Sequence, residues 1–146
     1  MTTTTRFPEA TQPPKVGDLI GPVEWRPTTI QLFRFSAVTW NPHRIHYDLP
    51  YATQEGYPGP LVQSHLHGCF LARTALKWAG PRAMMLQFRW ENRHYAVPGD
   101  VLTCSGVVVG VEGGVVMCEL QETNEEGRVC APAWATIRLT AFGSSS

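Results

Sequence analysis

The chain has 146 residues, 12 basic and 12 acidic side chains, a formal net charge of zero, 43% hydrophobic and 16% charged residues. That length reads as one domain, apolar enough to build a core and to exclude disorder over most of its length. Balanced charge argues against a general nucleic-acid binder, and no apolar run approaches the roughly 18–20 residues of a membrane span.

Residues 1–15, rich in Thr and Pro, read as a flexible arm without the apolar stretch of a secretory leader, and residues 143–146 read as a flexible tail. Between them, residues 16–142 form the single domain. Pro22–Thr28 reads as a short strand, and Thr28 or Thr29 caps a helix over Ile30–Val38 with Ile30, Phe33 and Ala37 at helical spacing. Asn41–Asp48 is an irregular connection, followed by a helical turn over Pro50–Gln54 that Gly56 and the turn at Tyr57–Pro60 stop. The strongest helix spans Leu61–Trp78, with Val62, Leu66, Cys69, Phe70, Leu76 and Ala79 broadly on one side and Gly80-Pro81 ending it. Four strands complete the chain, at Met84–Tyr95, Val101–Gly110, Val115–Thr123 and Arg128–Thr140. Their connections, Ala96–Asp100, Glu112–Gly114 and Asn124–Gly127, look like turns between antiparallel neighbours. One long apolar helix followed by a long meander gives an α+β fold, a sheet wrapped around that helix.

The four cysteines show no CxxC spacing, so reduced thiols in a cytoplasmic protein are expected, with Cys69, Cys104 and Cys118 as core fillers. Chemistry concentrates elsewhere. Four of the five histidines (His43, His46, His65, His67) fall within 25 residues. They do not make a metal site: no carboxylate or thiolate stands at matching spacing, and His65 and His67 leave a helix on different sides. His67 and His94 are expected to hydrogen-bond within the fold, whereas His46 is the strongest candidate for chemistry; His43 and His65 stand between the two readings.

The segment from Ser36 to Asp48, Ser-Ala-Val-Thr-Trp-Asn-Pro-His-Arg-Ile-His-Tyr-Asp, continues through Tyr51-Ala52 and the turn Glu55-Gly56-Tyr57-Pro58-Gly59. It resembles the MaoC-like, (R)-specific hydratase/dehydratase branch of the hotdog superfamily, and within it the subgroup of mitochondrial-type 3-hydroxyacyl-thioester dehydratases and mesaconyl-CoA hydratase-like proteins. Phe88-Arg89 and Pro98-Gly99-Asp100 fit the same pattern, and the resemblance covers about residues 16–140. It implies a hotdog fold, a long helix cradled by a curved antiparallel sheet, dimerised so that sheets join. It also implies reversible addition of water to an α,β-unsaturated acyl thioester, with no cofactor and no metal.

His46 matches the family's catalytic histidine, a group suited to moving protons in both directions near neutral pH. Asn41 falls where the broader family carries an aspartate; an amide takes no proton, so Asn41 would orient water while His46 alone serves as base and acid. The thioester oxygen needs N–H donors, which the start of the central helix supplies. There the family has His-Gly and this chain has Gln63-Ser64 followed by His65, so Ser64 lacks glycine's close approach and Gln63 and His65 add side chains at the pocket mouth. That departure leaves three outcomes open: an unusual substrate, altered chemistry, or a subunit without activity of its own. His43, Trp40, Arg89 and Arg93 are further pocket or tunnel candidates, with Arg82 and Lys77 beside them for the phosphates of coenzyme A or a carrier protein. Trp90 and Tyr95 stand as acyl-pocket candidates against plain core packing. Expected partners are a small-molecule acyl thioester and a second hotdog subunit, as a homodimer or a heteromer. Two alternatives keep the fold: a partner-dependent, non-catalytic subunit, and a thioesterase. The second normally needs a carboxylate to activate water.

Overall fold

A computed structural model describes residues 12–139; residues 1–11 of the expected arm and the expected tail lie outside the described residues. In chain order the elements are β1 (Leu19–Trp25), α1 (Thr29–Val38), a 3₁₀ turn (Arg44–His46), α2 (Leu49–Gln54), α3 (Ser64–Ala79), β2 (Met84–Trp90), β3 (Leu102–Glu112), β4 (Val115–Thr123) and β5 (Val129–Arg138). The five strands make one antiparallel sheet in the order β1-β3-β4-β5-β2. α3 packs against all five strands, so the α+β, helix-on-sheet expectation holds.

Period-two alternation explains which face of the sheet meets α3. On β4, Val116, Cys118, Leu120 and Glu122 are buried while Met117, Glu119 and Gln121 point away. β5 answers with buried Ala131, Ala133, Ala135 and Ile137, small residues that let the helix approach. α3 contributes Leu66, Phe70, Leu71 and Ala75, and Phe70 stacks on Trp25 of β1 with ring centroids 5.1 Å apart. Each fully buried large apolar side chain of this set contributes about 1.5–3 kcal/mol.

The connections follow the turn chemistry in two cases and depart from it in one. Glu112 pairs with Val115 around Gly113 (φ +55°) and Gly114 (φ +76°), the left-handed pair that a two-residue hairpin requires. At the β4–β5 turn, Asn124 Oδ1 accepts from the N–H groups of Glu126 and Arg128. Ala96–Asp100, however, joins no neighbouring strands. β2 sits at the edge beside β5 and β3 lies on the far side of β4, so the chain from residue 91 to 101 crosses between them. The strand expected to reach Tyr95 stops at Trp90, because Arg93 and His94 both donate to the Cys130 carbonyl and the ladder loses its register.

The helices also differ from expectation in which face is covered. Thr28 caps α1, its hydroxyl accepting from Gln31 N–H at 3.1 Å. The face turned to the core carries Leu32 and Ser36. The stripe Ile30, Phe33, Ala37 lies on the surface, with Ile30 63% and Phe33 61% exposed. α3 begins at Ser64, three residues later than expected, and Cys69 is exposed rather than a core filler. Cys104 and Cys118 are buried as expected, as is Cys130. No helix among the described residues is long and apolar enough to cross a membrane.

Candidate active site

The irregular connection between α1 and α2 is held by nested local bonds. Asn41 N–H donates to the Ser36 carbonyl (2.9 Å), and Asn41 Oδ1 accepts from His43 N–H (3.4 Å). That assignment leaves the Nδ2 hydrogens of Asn41 to donate elsewhere. His43 Nδ1 accepts from Ile45 N–H at 3.1 Å, capping the 3₁₀ turn that carries His46. Asp48 fixes the other end. Its Oδ2 accepts from Arg44 Nε (2.9 Å) and Nη2 (2.7 Å), and its Oδ1 accepts from Tyr51 N–H to cap α2. The Arg44 guanidinium holds the Asp48 carboxyl below its usual range.

His46 is half-buried, and its Nδ1 lies 2.8 Å from the Leu61 carbonyl. A carbonyl only accepts, so Nδ1 carries the proton and Nε2 keeps its lone pair. Desolvation by burial lowers the pKa of His46; His43 lowers it further, against an opposing pull from the Leu61 bond. Leu61 also donates its N–H to the Ile45 carbonyl (2.9 Å), and Val62 N–H donates to Ala96 (2.9 Å). The His46 turn is therefore tied at two points to Leu61, three residues before the start of α3.

At the start of α3, Leu66 and His67 N–H both turn to the Gln63 carbonyl. Ser64 and His65 lie ahead of them, where a helix leaves its N–H groups free for a ligand. Trp90 of β2 seats this turn. Its Nε1 donates to the Ser64 carbonyl (3.0 Å) and approaches Ser64 Oγ (3.3 Å), and its ring meets His65 edge-on at 5.5 Å. The indole lies so close to α3 that a Cβ on Gly68 would stand 2.9 Å from two ring carbons. Gly68→Ala is expected to cost about 1–3 kcal/mol in overpacking, offset by about 1 kcal/mol of helix propensity. Its urea midpoint should fall; an unchanged midpoint would mean that Trp90 moves aside freely.

Gln63 is not at a pocket mouth. It is 1% exposed, with Nε2 donating to the Leu32 carbonyl (2.8 Å) and Ser36 Oγ (2.9 Å), so it ties α1 to the start of α3. Its Oε1 has no partner among the described residues. His65 is exposed and Ser64 half-exposed. Trp40 is 88% exposed, with φ +53°. Arg89 stacks over Trp134 at 4.0 Å on the sheet face opposite Phe88 and Trp90, and Arg93 pairs with Glu91, so the chain by itself does not bring these cations to His46. His67 is fully buried against Glu122, and His94 stacks on Tyr95 beside Arg128. Among the described residues, no group of three His, Cys, Asp or Glu side chains could hold a metal ion. Sequence reasoning missed the Leu61 carbonyl, which has no side-chain signature, and it named Trp90 as a pocket or core aromatic without its role as the anchor of the Ser64 turn.

The long helix packed on a five-stranded antiparallel sheet is the hotdog architecture. A family model for hydroxyacyl-thioester dehydratase type 2 matches residues 2–97, more than half of the chain, and the chain belongs to that family. A segment of 45 residues is 58% identical to the mesaconyl-C(4)-CoA hydratase of Chloroflexus aurantiacus, covering 30% of this chain and 16% of that relative. Solved structures extend the likeness of fold over most of the chain. The (R)-hydratase of A. caviae involved in PHA biosynthesis superposes with TM-score 0.81 at 16% identity, covering 89% of this chain and 100% of that one. A chain of the ChsH1-ChsH2 complex of Mycobacterium tuberculosis gives TM-score 0.80 at 19% identity, covering 86% and 98%.

Proposed function

We propose that this protein is a cofactor-free hydro-lyase that adds water to a 2-enoyl thioester, or removes it from a 3-hydroxyacyl thioester, carried on coenzyme A or a carrier protein. The observation that carries the reading is the 2.8 Å approach of His46 Nδ1 to the Leu61 carbonyl: with Nδ1 committed there, Nε2 is free to take a proton. In hydration, water held by Asn41 Nδ2 and His46 Nε2 loses a proton to Nε2 as its oxygen bonds to the β-carbon. The electron pair of the double bond moves toward the thioester, whose oxygen takes the N–H donors of Ser64 and His65. His46 then returns its proton to the α-carbon, and dehydration runs the same steps in reverse.

Hydrolysis is less well served. Asp48, the carboxylate closest in sequence to His46, is engaged by Arg44 and by Tyr51 N–H. A second subunit completing the site is supported by two exposed apolar regions. One is Ile30, Phe33, Val38 and Trp40; the other is Met84 and Leu86 on β2, whose outer edge pairs with no strand among the described residues. The ChsH1-ChsH2 neighbour is itself a complex. Heteromeric partnership is therefore the second reading, and the four free cysteines fit a cytoplasmic setting.

The test follows the enoyl absorbance of crotonyl-CoA and of a longer 2-enoyl-CoA with the purified chain. Loss of absorbance without release of thiol is expected. Thiol release would establish a thioesterase instead, and silence that ends on adding a second hotdog subunit would establish the partner-dependent reading.

A further inference from the structure

We infer that His43 is a positioning residue, a proton-sensitive latch that keeps the turn bearing His46 in its working geometry. The inference rests on the reading of His46 as the acid/base. His43 Nδ1 accepts from Ile45 N–H (3.1 Å), and its carbonyl accepts from His46 N–H (3.2 Å), so one residue closes the 3₁₀ turn from both its side chain and its backbone. An imidazole can fill that role only while Nδ1 is unprotonated. Once Nδ1 carries a hydrogen, two donors face each other and the cap is lost. The neighbours leave His43 no carboxylate to compensate. Its ring meets His46 edge-on at 5.9 Å and Tyr51 at 6.0 Å. Asp48 is taken up by Arg44, whose guanidinium lies over the Tyr51 ring at 4.8 Å, and Tyr47 OH donates to the Pro42 carbonyl. A proton on His43 thus removes the cap and places a positive charge beside the ring that must itself gain one.

Asparagine caps through Oδ1 without titrating, and alanine does not cap; the pair of variants separates the two properties. His43→Ala should lower kcat about ten- to a hundredfold with KM little changed, as a misplaced base does. His43→Asn should recover most of that loss, to within about threefold of wild type. Wild-type kcat in His43→Ala, or no rescue by Asn, would each overturn the inference. Nitrogen NMR of the full chain at neutral pH decides it independently of turnover. Nδ1 of His43 should show the acceptor form and the Ile45 amide should shift as His43 protonates, and a proton on Nδ1 at neutral pH would refute the latch. A wild-type protein inert toward every enoyl thioester would sink the hydro-lyase reading while leaving the NMR result to decide the cap.

Discussion

Replacing His46 by alanine is expected to lower kcat for enoyl-thioester hydration by roughly 10²–10⁴-fold, the contribution of a positioned acid/base, with KM changed far less. The fold should survive, since what is lost to stability is one hydrogen bond to the Leu61 carbonyl from a half-buried ring, about 1 kcal/mol. Asn41→Ala should cost less activity than His46→Ala, because it removes an orienting donor and leaves the proton-transfer group in place. The sign of the pH dependence follows from burial. The pKa of His46 lies below its ordinary 6.5 in the folded protein, so the neutral base predominates at pH 7 and hydration should fall only as pH drops below that ordinary value. Stability moves the same way. The unfolded chain binds the His46 proton first, so this group's contribution is full above about pH 6.5 and is lost as pH falls toward the lower folded pKa. In His46→Ala that portion of the acid destabilisation should disappear. A variant retaining wild-type turnover would remove the proposed mechanism altogether.

The legible part of this protein is local. Thr28 announces the start of α1, Gly113-Gly114 announces a hairpin, and the alternation of Val115–Thr123 reproduces β4 residue for residue. Each signal lies within a few residues of what it determines. What escaped depends on partners far along the chain. The segment Ala96–Asp100 has good turn chemistry, but whether a turn joins neighbours is settled by which strands pair, and β2 finds β5 rather than β3. The apolar stripe Ile30, Phe33, Ala37 has helical spacing, yet spacing cannot say which face meets the core; Leu32, on the other face with Ser36, wins. In the site, the histidine cluster and the Asn41–His46 spacing mark the right turn, while the role of each member is decided by geometry. Gln63 looked like a pocket-mouth residue and is a buried tie, because α1 offers its amide two acceptors, the Leu32 carbonyl and Ser36 Oγ. His43 and His46, three residues apart, use Nδ1 oppositely, one accepting from Ile45 and the other donating to Leu61.

The second large effect is expected beneath the site, where His67 of α3 and Glu122 of β4 meet with neither exposed at all. His67 Nδ1 contacts Glu122 Oε1, and Glu122 Oε2 accepts from the Cys104 thiol at 3.7 Å. Burial, with Glu122 adding to it, pushes the Cys104 thiol upward and keeps it a donor. A pair this deep is costly to break on one side, because the remaining partner is then buried without compensation. Glu122→Leu and His67→Leu should each destabilise the protein by roughly 3–5 kcal/mol. The double variant should recover much of that loss, since two apolar side chains of similar reach avoid the desolvation altogether. Urea midpoints of the four proteins close the cycle. A coupling of a few kcal/mol is expected, and simple addition of the single losses would show that the two residues do not act as a unit. The pair also reaches the chemistry: His67 lies three residues beyond Ser64 on α3 and its N–H turns to the Gln63 carbonyl. Glu122→Leu should therefore raise KM for the thioester along with its loss of stability, whereas a surface charge such as Glu119, on the opposite face of β4, should change neither.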